Sequence, residues 1–89
     1  MAVEERSFEI TNQLGMHARP AAAFVKVASA FASEIVVIKD DMPVNGKSIL
    51  GVLTLAAEHG SHVTIRAEGD DAAEALEALG SLISKDFDE

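Results

Sequence analysis

Residues 15–20 read Gly15-Met16-His17-Ala18-Arg19-Pro20, and at this stretch the chain changes from strand to helix. Loose alternation of apolar and polar residues over 4–11 predicts a half-buried strand before it. An alanine-rich segment with helical periodicity follows, from Ala18 to about Ala32. Pro20 fits only the first turn of that helix, where its missing N–H costs nothing. The stretch therefore determines where the first helix begins.

Beyond this helix the pattern predicts five further elements. They are, in order, a strand over residues 34–39, a short strand over 42–44, a helix from Ile49 to about Ala57, a strand over 61–67 and a last helix after Gly69-Asp70-Asp71. The first of these strands contains four consecutive β-branched residues, which is typical of a buried strand. Ser48 is suited to be the N-cap of the short helix. The order β-α-β-β-α-β-α predicts an α+β fold, a mostly antiparallel sheet with helices on one face.

The chain is short and acidic, and both properties limit what it does. Its 89 residues fit one domain, residues 1–89, whose last residues, 85–89, we expect to be a frayed tail. It contains no cysteine, so neither a disulfide framework nor a thiolate metal site is available. The net charge of -8 argues against nucleic acid as a partner, because phosphate backbones would be repelled.

The sequence shows no targeting or membrane-spanning segment. No apolar run approaches the roughly 18 residues of a membrane span. The acidic start, residues 1–5, lacks the basic flank of a signal peptide. We therefore expect a cytoplasmic protein with no membrane insertion.

The acidic residues are unevenly distributed. Asp and Glu are absent from residues 10–33 and again from 42–57, and these two windows hold three basic residues, Arg19, Lys26 and Lys47. In an acidic protein, such windows indicate a need for neutral or positive potential. The alternative is that both windows are simply apolar helices, and charge alone does not decide between the two.

His17 is the first candidate for chemistry. It lies at the predicted start of the first helix, where free backbone N–H groups and about half a positive charge favour an anion. An imidazole is a competent nucleophile near neutral pH, and the same amides would receive a phosphoryl group attached to the ring. Arg19 adds a permanent cation whose fork geometry suits phosphate oxygens. The alternative is that His17 only caps the helix beside a solvated Arg19.

The other two histidines, His59 and His62, are weaker candidates. Their three-residue spacing would seat one edge of a metal site, but no cysteine and no nearby third ligand completes a tetrahedral set. We therefore interpret them as residues of a surface turn and predict no metal site.

The segment that begins at Ser48 has two interpretations. A phosphate on a helix N-cap would meet a favourable dipole, while it would add about two negative charges to the surrounding surface. Ile49, Leu50 and Leu53 follow at helical spacing. One side of the short helix is then either an exposed apolar docking patch or part of the core.

Two segments of the chain resemble the signatures of a known family. Residues 15–20 resemble the active-site signature of HPr, the small phosphocarrier of the phosphoenolpyruvate-dependent sugar phosphotransferase system. Residues 44–51, Val-Asn-Gly-Lys-Ser-Ile-Leu-Gly, resemble that family's second signature, centred on its regulatory serine. The resemblance covers essentially the whole chain, with both motifs in register with the predicted elements.

The resemblance implies a fold and a function. Family members fold as an open-faced β-sandwich, with three helices over a four-stranded antiparallel sheet. Their histidine accepts a phosphoryl group on Nδ1 from enzyme I and donates it to the IIA component of a sugar permease. By this resemblance His17 would carry the phosphoryl group and Arg19 would stabilise it. Partners dock on the face of the first two helices, which here would include Arg19, Lys26, Lys47, Leu50 and Leu53.

The resemblance also implies partners and a mode of action. The protein would be a phosphocarrier intermediate rather than a free-standing enzyme, with no cofactor of its own, because enzyme I uses the magnesium and the phosphoenolpyruvate. A serine kinase and phosphatase acting on Ser48 would be further partners. A small carrier that exposes one face to two partners is expected to be a monomer.

The motifs do not separate the sugar carrier from two alternatives with the same fold. One is a nitrogen-type carrier, which feeds regulatory IIA proteins instead of permeases. The other is a regulatory binding module that transfers nothing. Such modules tend to lose the histidine, and the presence of His17 with Arg19 counts against the second alternative.

Overall fold

The structure, a computed structural model, describes residues 2–88. Within them the elements are β1 (Val3–Glu9), α1 (Ala18–Ser29), β2 (Glu34–Lys39), β3 (Met42–Asn45), α2 (Ile49–Thr54), β4 (His62–Glu68) and α3 (Ala72–Ser84), followed by a short 3₁₀ turn over Asp86–Asp88. The predicted order β-α-β-β-α-β-α is confirmed.

The four strands form one antiparallel sheet in the order β1-β4-β2-β3. Ile65 of the central strand β4 is paired with Arg6 on one side and Val37 on the other. Along β4 the alternate residues Val63, Ile65 and Ala67 are buried, as the alternation predicts. The sheet buries this face under the helices and leaves the other face open, which confirms the predicted open-faced sandwich.

Helices α1 and α3 pack closely on the buried face. α1 buries Ala21, Phe24 and Ala28 at helical spacing. α3 lies so near β1 that a Cβ at Gly80 would approach the Phe8 ring to 2.8 Å. In a chain without cysteine this packing carries the stability, since each fully buried large apolar side chain contributes about 1.5–3 kcal/mol.

α1 ends at Ser29 rather than near Ala32, because the chain after it bonds to α3. The N–H groups of Ala32 and Ser33 donate to the Asp71 carboxylate at 2.8 and 2.9 Å, and the Ser33 hydroxyl donates to it at 2.5 Å. Asp71 lies at the N-cap of α3, as predicted, but its side chain makes no capping bond to that helix. The Ser33 hydroxyl, followed by the Ala32 N–H, lowers the pKa of Asp71 below its ordinary value.

α2 ends at Thr54 rather than near Ala57, also for a tertiary reason. Ala56 has a positive φ of 51°, which takes it out of the helical conformation. The carbonyl of Ala57 then accepts the N–H of Met16 at 2.7 Å. A contact with a segment distant in sequence therefore determines where this helix stops.

The end of β1 and the C-terminal residues also differ from expectation. β1 stops at Glu9, because its partner β4 begins at His62 directly opposite. The tail was expected to fray, but the Thr11 hydroxyl donates to the Asp86 carboxylate and Phe87 is buried in the core. An apolar side chain near the chain end thus finds a place against α1 and α3. Glu89 lies outside the described residues.

Candidate functional site

His17 lies at the N-cap of α1, where the sequence predicts the helix to begin. Its backbone is extended, with φ -90° and ψ -169°, and its carbonyl accepts the N–H of Ala21 at 2.9 Å. The side chain is half-buried and makes no capping hydrogen bond to the helix. The alternative in which the ring serves as the helix cap is therefore not what the structure contains.

The segment before His17 is fixed against the chain that follows α2. Gly15 has a φ of +70°, and a Cβ on it would lie 2.5 Å from the Ala57 carbonyl oxygen. Met16 is buried and donates its N–H to the same oxygen. Only glycine fits at position 15, because both its φ and its surroundings exclude a side chain.

The electrostatic surroundings of His17 favour an anion. Helix geometry leaves the N–H groups of Ala18 and Arg19 without an intrahelical acceptor, and Pro20 has no N–H. The first turn of α1 contains no acidic residue. Arg19 is the second residue of the helix and is exposed. The structure thus brings His17, Arg19 and the positive end of the α1 dipole together, as the sequence predicts.

α1 and α2 run in opposite directions beside one another. The start of α1 is bonded to the end of α2 through Met16 and Ala57. At the other end, the Lys47 ammonium donates to the Phe31 carbonyl at 2.6 Å, so the residue before α2 contacts the chain after α1. The face formed by the two helices therefore has a His17 end and a Lys47 end.

Ser48 lies at the N-cap of α2, as predicted, and its hydroxyl accepts the N–H of Gly51 at 3.1 Å. It belongs to the Lys47 end of the two-helix face. The whole of α2 lies between Ser48 and the Ala57 carbonyl that contacts the segment before His17. The structure does not bring these two candidate residues together.

The predicted docking residues have different surroundings. Leu50 is 77% exposed on α2, while Leu53 is half-buried and packs against the core. Lys47 is held by its bond to Phe31, and Lys26 is exposed beside an apolar groove between α1 and α3. The short helix is therefore exposed on one side and part of the core on the other, and its role in docking stays a prediction.

Two residues near His17 were not singled out from the sequence. Leu14 is 75% exposed and adjoins the turn before His17, which adds an apolar group to the His17 end. The sequence signal that marks Leu14 is that it is an apolar residue within a turn of polar residues. Ala57 acts through its backbone carbonyl, and no side-chain pattern marks such a role.

His59 and His62 are both exposed. Across the described part of the chain, no three or more His, Cys, Asp or Glu side chains are grouped so that they would hold a metal ion. Between residues 2 and 88, no helix is both long and apolar enough to cross a membrane.

Comparison with known proteins gives close matches over nearly the whole chain. Phosphocarrier protein HPr of Neisseria meningitidis serogroup A is 47% identical over 85 residues, 96% of each chain. The HPr-like protein Crh of Halalkalibacterium halodurans is 46% identical over 82 residues, 92% of this chain and 98% of the relative.

Solved structures agree with these relatives. The crystal structure of HPr-C-His from Thermoanaerobacter tengcongensis superposes with a TM-score of 0.94 at 50% identity, over 97% of both chains. An HPr dimer from the same organism superposes with a TM-score of 0.79 at 50% identity, over 97% of this chain and 99% of that one, so the monomer stays a prediction.

A family model supports the same assignment. The model described as PTS HPr component phosphorylation site matches residues 4–85. This range includes both sequence signatures and runs from the second residue of β1 past the end of α3. The chain belongs to the HPr family of phosphocarrier proteins of the phosphotransferase system.

Proposed function

We propose that the chain accepts a phosphoryl group on His17 from enzyme I and passes it to IIA components of sugar permeases. The observation that carries the proposal is the position of His17 at the N-cap of α1, with its side chain half-buried. A ring nitrogen there lies beside the N-terminal end of α1, within the acid-free residues 10–33.

The transfer is a displacement at phosphorus. A ring nitrogen of His17, Nδ1 by family resemblance, forms the N–P bond while the bond from phosphorus to the enzyme I group breaks. In the second step the N–P bond breaks as the IIA acceptor bonds to phosphorus. The partners supply most of the machinery, and phosphoenolpyruvate and magnesium act on enzyme I, so this chain is an intermediate with no cofactor of its own.

The helix end and Arg19 supply moderate stabilisation to the phosphorylated state. A helix N-terminus contributes about 0.3–1 kcal/mol to an exposed anion. A charge-assisted hydrogen bond from the Arg19 guanidinium adds about 1.5–3 kcal/mol. These amounts orient the phosphoryl group without trapping it, which suits a carrier that must release it to a second partner.

The partners are proposed to dock on the two-helix face around His17. Leu14 and Leu50 offer exposed apolar surface, and Arg19 offers positive charge at the edge of the site. Lys26, Lys47 and Leu53 remain proposed docking residues. Because the face contains no acidic residue between Ile10 and Ser33, an acidic partner surface would meet no repulsion there.

Ser48 is proposed as a regulatory phosphorylation site, the target of a serine kinase and phosphatase. Ser48 lies at the Lys47 end of the two-helix face, beside the exposed Leu50, and not at the His17 end. A phosphate on Ser48 would therefore act on docking, through the surface around Leu50, and not on the reactivity of the imidazole.

Two alternatives share the fold. The match to the HPr-like protein Crh favours a regulatory role for the chain. A nitrogen-type carrier would use the same His17 chemistry with a regulatory IIA protein. The presence of His17 and Arg19 favours a transferring carrier over a non-transferring module.

The experiment that tests the proposal follows the second transfer. The phosphorylated protein is isolated and mixed with a IIA component of a sugar permease or with a regulatory IIA protein, and the intact masses of both proteins are followed. Loss of one phosphoryl group here, with an equal gain on the sugar IIA, is the expected result. A phosphoryl group gained only by the regulatory IIA would support the nitrogen-type carrier. A protein that keeps its phosphoryl group with both acceptors would contradict a carrier role.

A further inference from the structure

Asn12 is a buried polar side chain close in sequence to His17 that the proposed transfer does not use. It is 2% exposed, although it lies in the turn between β1 and α1. A buried amide is destabilising unless hydrogen bonds hold it, so the bonds that Asn12 makes define what it does.

Asn12 bonds to Gly15 through both its backbone and its side chain. Its carbonyl accepts the N–H of Gly15 at 3.1 Å, and its Nδ2 donates to the carbonyl of Gly15 at 2.6 Å. The same Gly15 carbonyl accepts the N–H of His17 at 3.0 Å. The Asn12 amide and the His17 backbone therefore meet on one oxygen atom.

Gly15 does not hold this geometry by itself. Glycine is the residue with the widest choice of φ and ψ, so the direction of its carbonyl depends on contacts. The peptide group that links Gly15 to Met16 is held at both of its ends: its N–H, from Met16, donates to the Ala57 carbonyl, and its C=O, from Gly15, accepts from the Asn12 amide. Together these bonds set the backbone from which the His17 side chain projects.

We infer that Asn12 is a positioning residue for His17, acting through the Gly15 carbonyl. The inference rests on the proposed function and adds to it that phosphoryl acceptance depends on a buried amide that does not face a docking partner. Displacing a reacting group by about 1 Å can lower a rate by about 100-fold, so a loosened turn should slow the transfer step and not partner binding.

The test compares Asn12→Ala and Asn12→Asp with Ser33→Ala. Ser33 is a matched control, because it is also a buried polar residue but lies beyond the opposite end of α1, bonded to Asp71. Acceptance is measured with a fixed amount of enzyme I, with magnesium and phosphoenolpyruvate, over a range of concentrations of each variant. We expect the Asn12 variants to lower kcat about tenfold or more with KM nearly unchanged, and Ser33→Ala to keep the wild-type kcat.

A second readout needs no phosphoryl transfer. The NMR signals of the His17 ring should move in Asn12→Ala and Asn12→Asp, while those of His59 and His62 stay in place. In Asn12→Asp, lowering the pH protonates the introduced carboxyl and restores a donor, so the difference from wild type at the same pH should shrink.

The outcomes separate the inference from the proposed function. Unshifted His17 signals with a wild-type kcat in Asn12→Ala would overturn the inference, as would an equal loss of kcat in Ser33→Ala. A wild-type protein that accepts nothing on His17 would contradict the proposed function, and the ring signals would still test Asn12.

Discussion

The imidazole of His17 owes its position to backbone contacts made before the helix begins. Gly15 is the tightest of these points, with a φ of +70° and with Ala57 and Glu58 packed where a side chain would stand. Gly60 also has a positive φ, +88°, but nothing lies within 4 Å of its missing Cβ. The two glycines therefore separate the cost of backbone conformation from the cost of crowding.

Gly15→Ala and Gly60→Ala should differ in stability. Gly60→Ala meets backbone strain alone, about 1–2 kcal/mol. Gly15→Ala adds a collision with the Ala57 carbonyl, for a loss of about 3 kcal/mol or more. Urea unfolding midpoints measure both losses. Equal midpoints for the two variants would show that the chain around Gly15 moves aside for a side chain without further loss of stability.

At the residue scale, the sequence predicts where His17 and Arg19 lie but not the groups that hold the backbone around them. His17 and Arg19 were predicted from their place at a helix start, because local pattern marks such a place. Asn12 and Ala57 were not predicted, because one acts through a bond to a neighbouring carbonyl and the other through its own carbonyl. The roles of such groups depend on tertiary contacts that a single sequence does not show.

At the scale of elements, the same distinction explains which boundaries were found. β2 was predicted over residues 34–39 and has those bounds, because local turn residues enclose its β-branched run. α1 ends early because the Asp71 carboxylate accepts the N–H groups that follow it. α2 ends early because the Ala57 carbonyl, which follows it, accepts the N–H of Met16. Partners distant in sequence decided both ends.

The bond between Asp71 and the α1–β2 loop should make stability depend on acid. The pKa of Asp71 is lowered in the folded state, so its contribution is present above its unfolded pKa of about 3.9 and is lost as the pH falls through the folded value. Asp71→Asn should thus unfold at lower urea than wild type at pH 7, and the gap should close below about pH 4. Asp70→Asn, at the exposed neighbour, is the control, and a gap that persists in acid would contradict this origin.

A charge at the start of α2 should hinder docking without unfolding the helix. Aspartate is a good N-cap, so Ser48→Asp should keep stability within about 0.5 kcal/mol, while Ser48→Ala loses about 1 kcal/mol. Acceptance from enzyme I should show a raised KM for Ser48→Asp and a normal KM for Ser48→Ala. We would abandon the regulatory proposal if Ser48→Asp accepted phosphoryl groups at the wild-type rate.

At the scale of the whole molecule, the two acid-free windows form one face. They contain α1 and α2, which lie side by side. The windows are not simply apolar core, because Phe24 and Val52 are buried while Arg19 and Leu50 are exposed. A single sequence shows that acid is missing from two segments, but only the fold shows that the segments are neighbours.

The chain end is part of the molecule's stability. Phe87 is 5% exposed, and Phe87→Ala should cost about 3–5 kcal/mol, a large share of the roughly 5–15 kcal/mol typical of a small domain. Met42→Ala, on a side chain 49% exposed, should cost less than about 1 kcal/mol. An unchanged unfolding midpoint for Phe87→Ala would contradict this contribution and support the frayed tail that the sequence predicts.

The measurement that tests the central claim most directly is the intact mass of the protein after incubation with enzyme I, magnesium and phosphoenolpyruvate. We predict a gain of one acid-labile phosphoryl group in the wild type and in His59→Ala, and no gain in His17→Ala. A wild type that gains nothing from an enzyme I active on another carrier, or a His17→Ala variant that still gains the group, would contradict the assignment of His17 as the carrier residue.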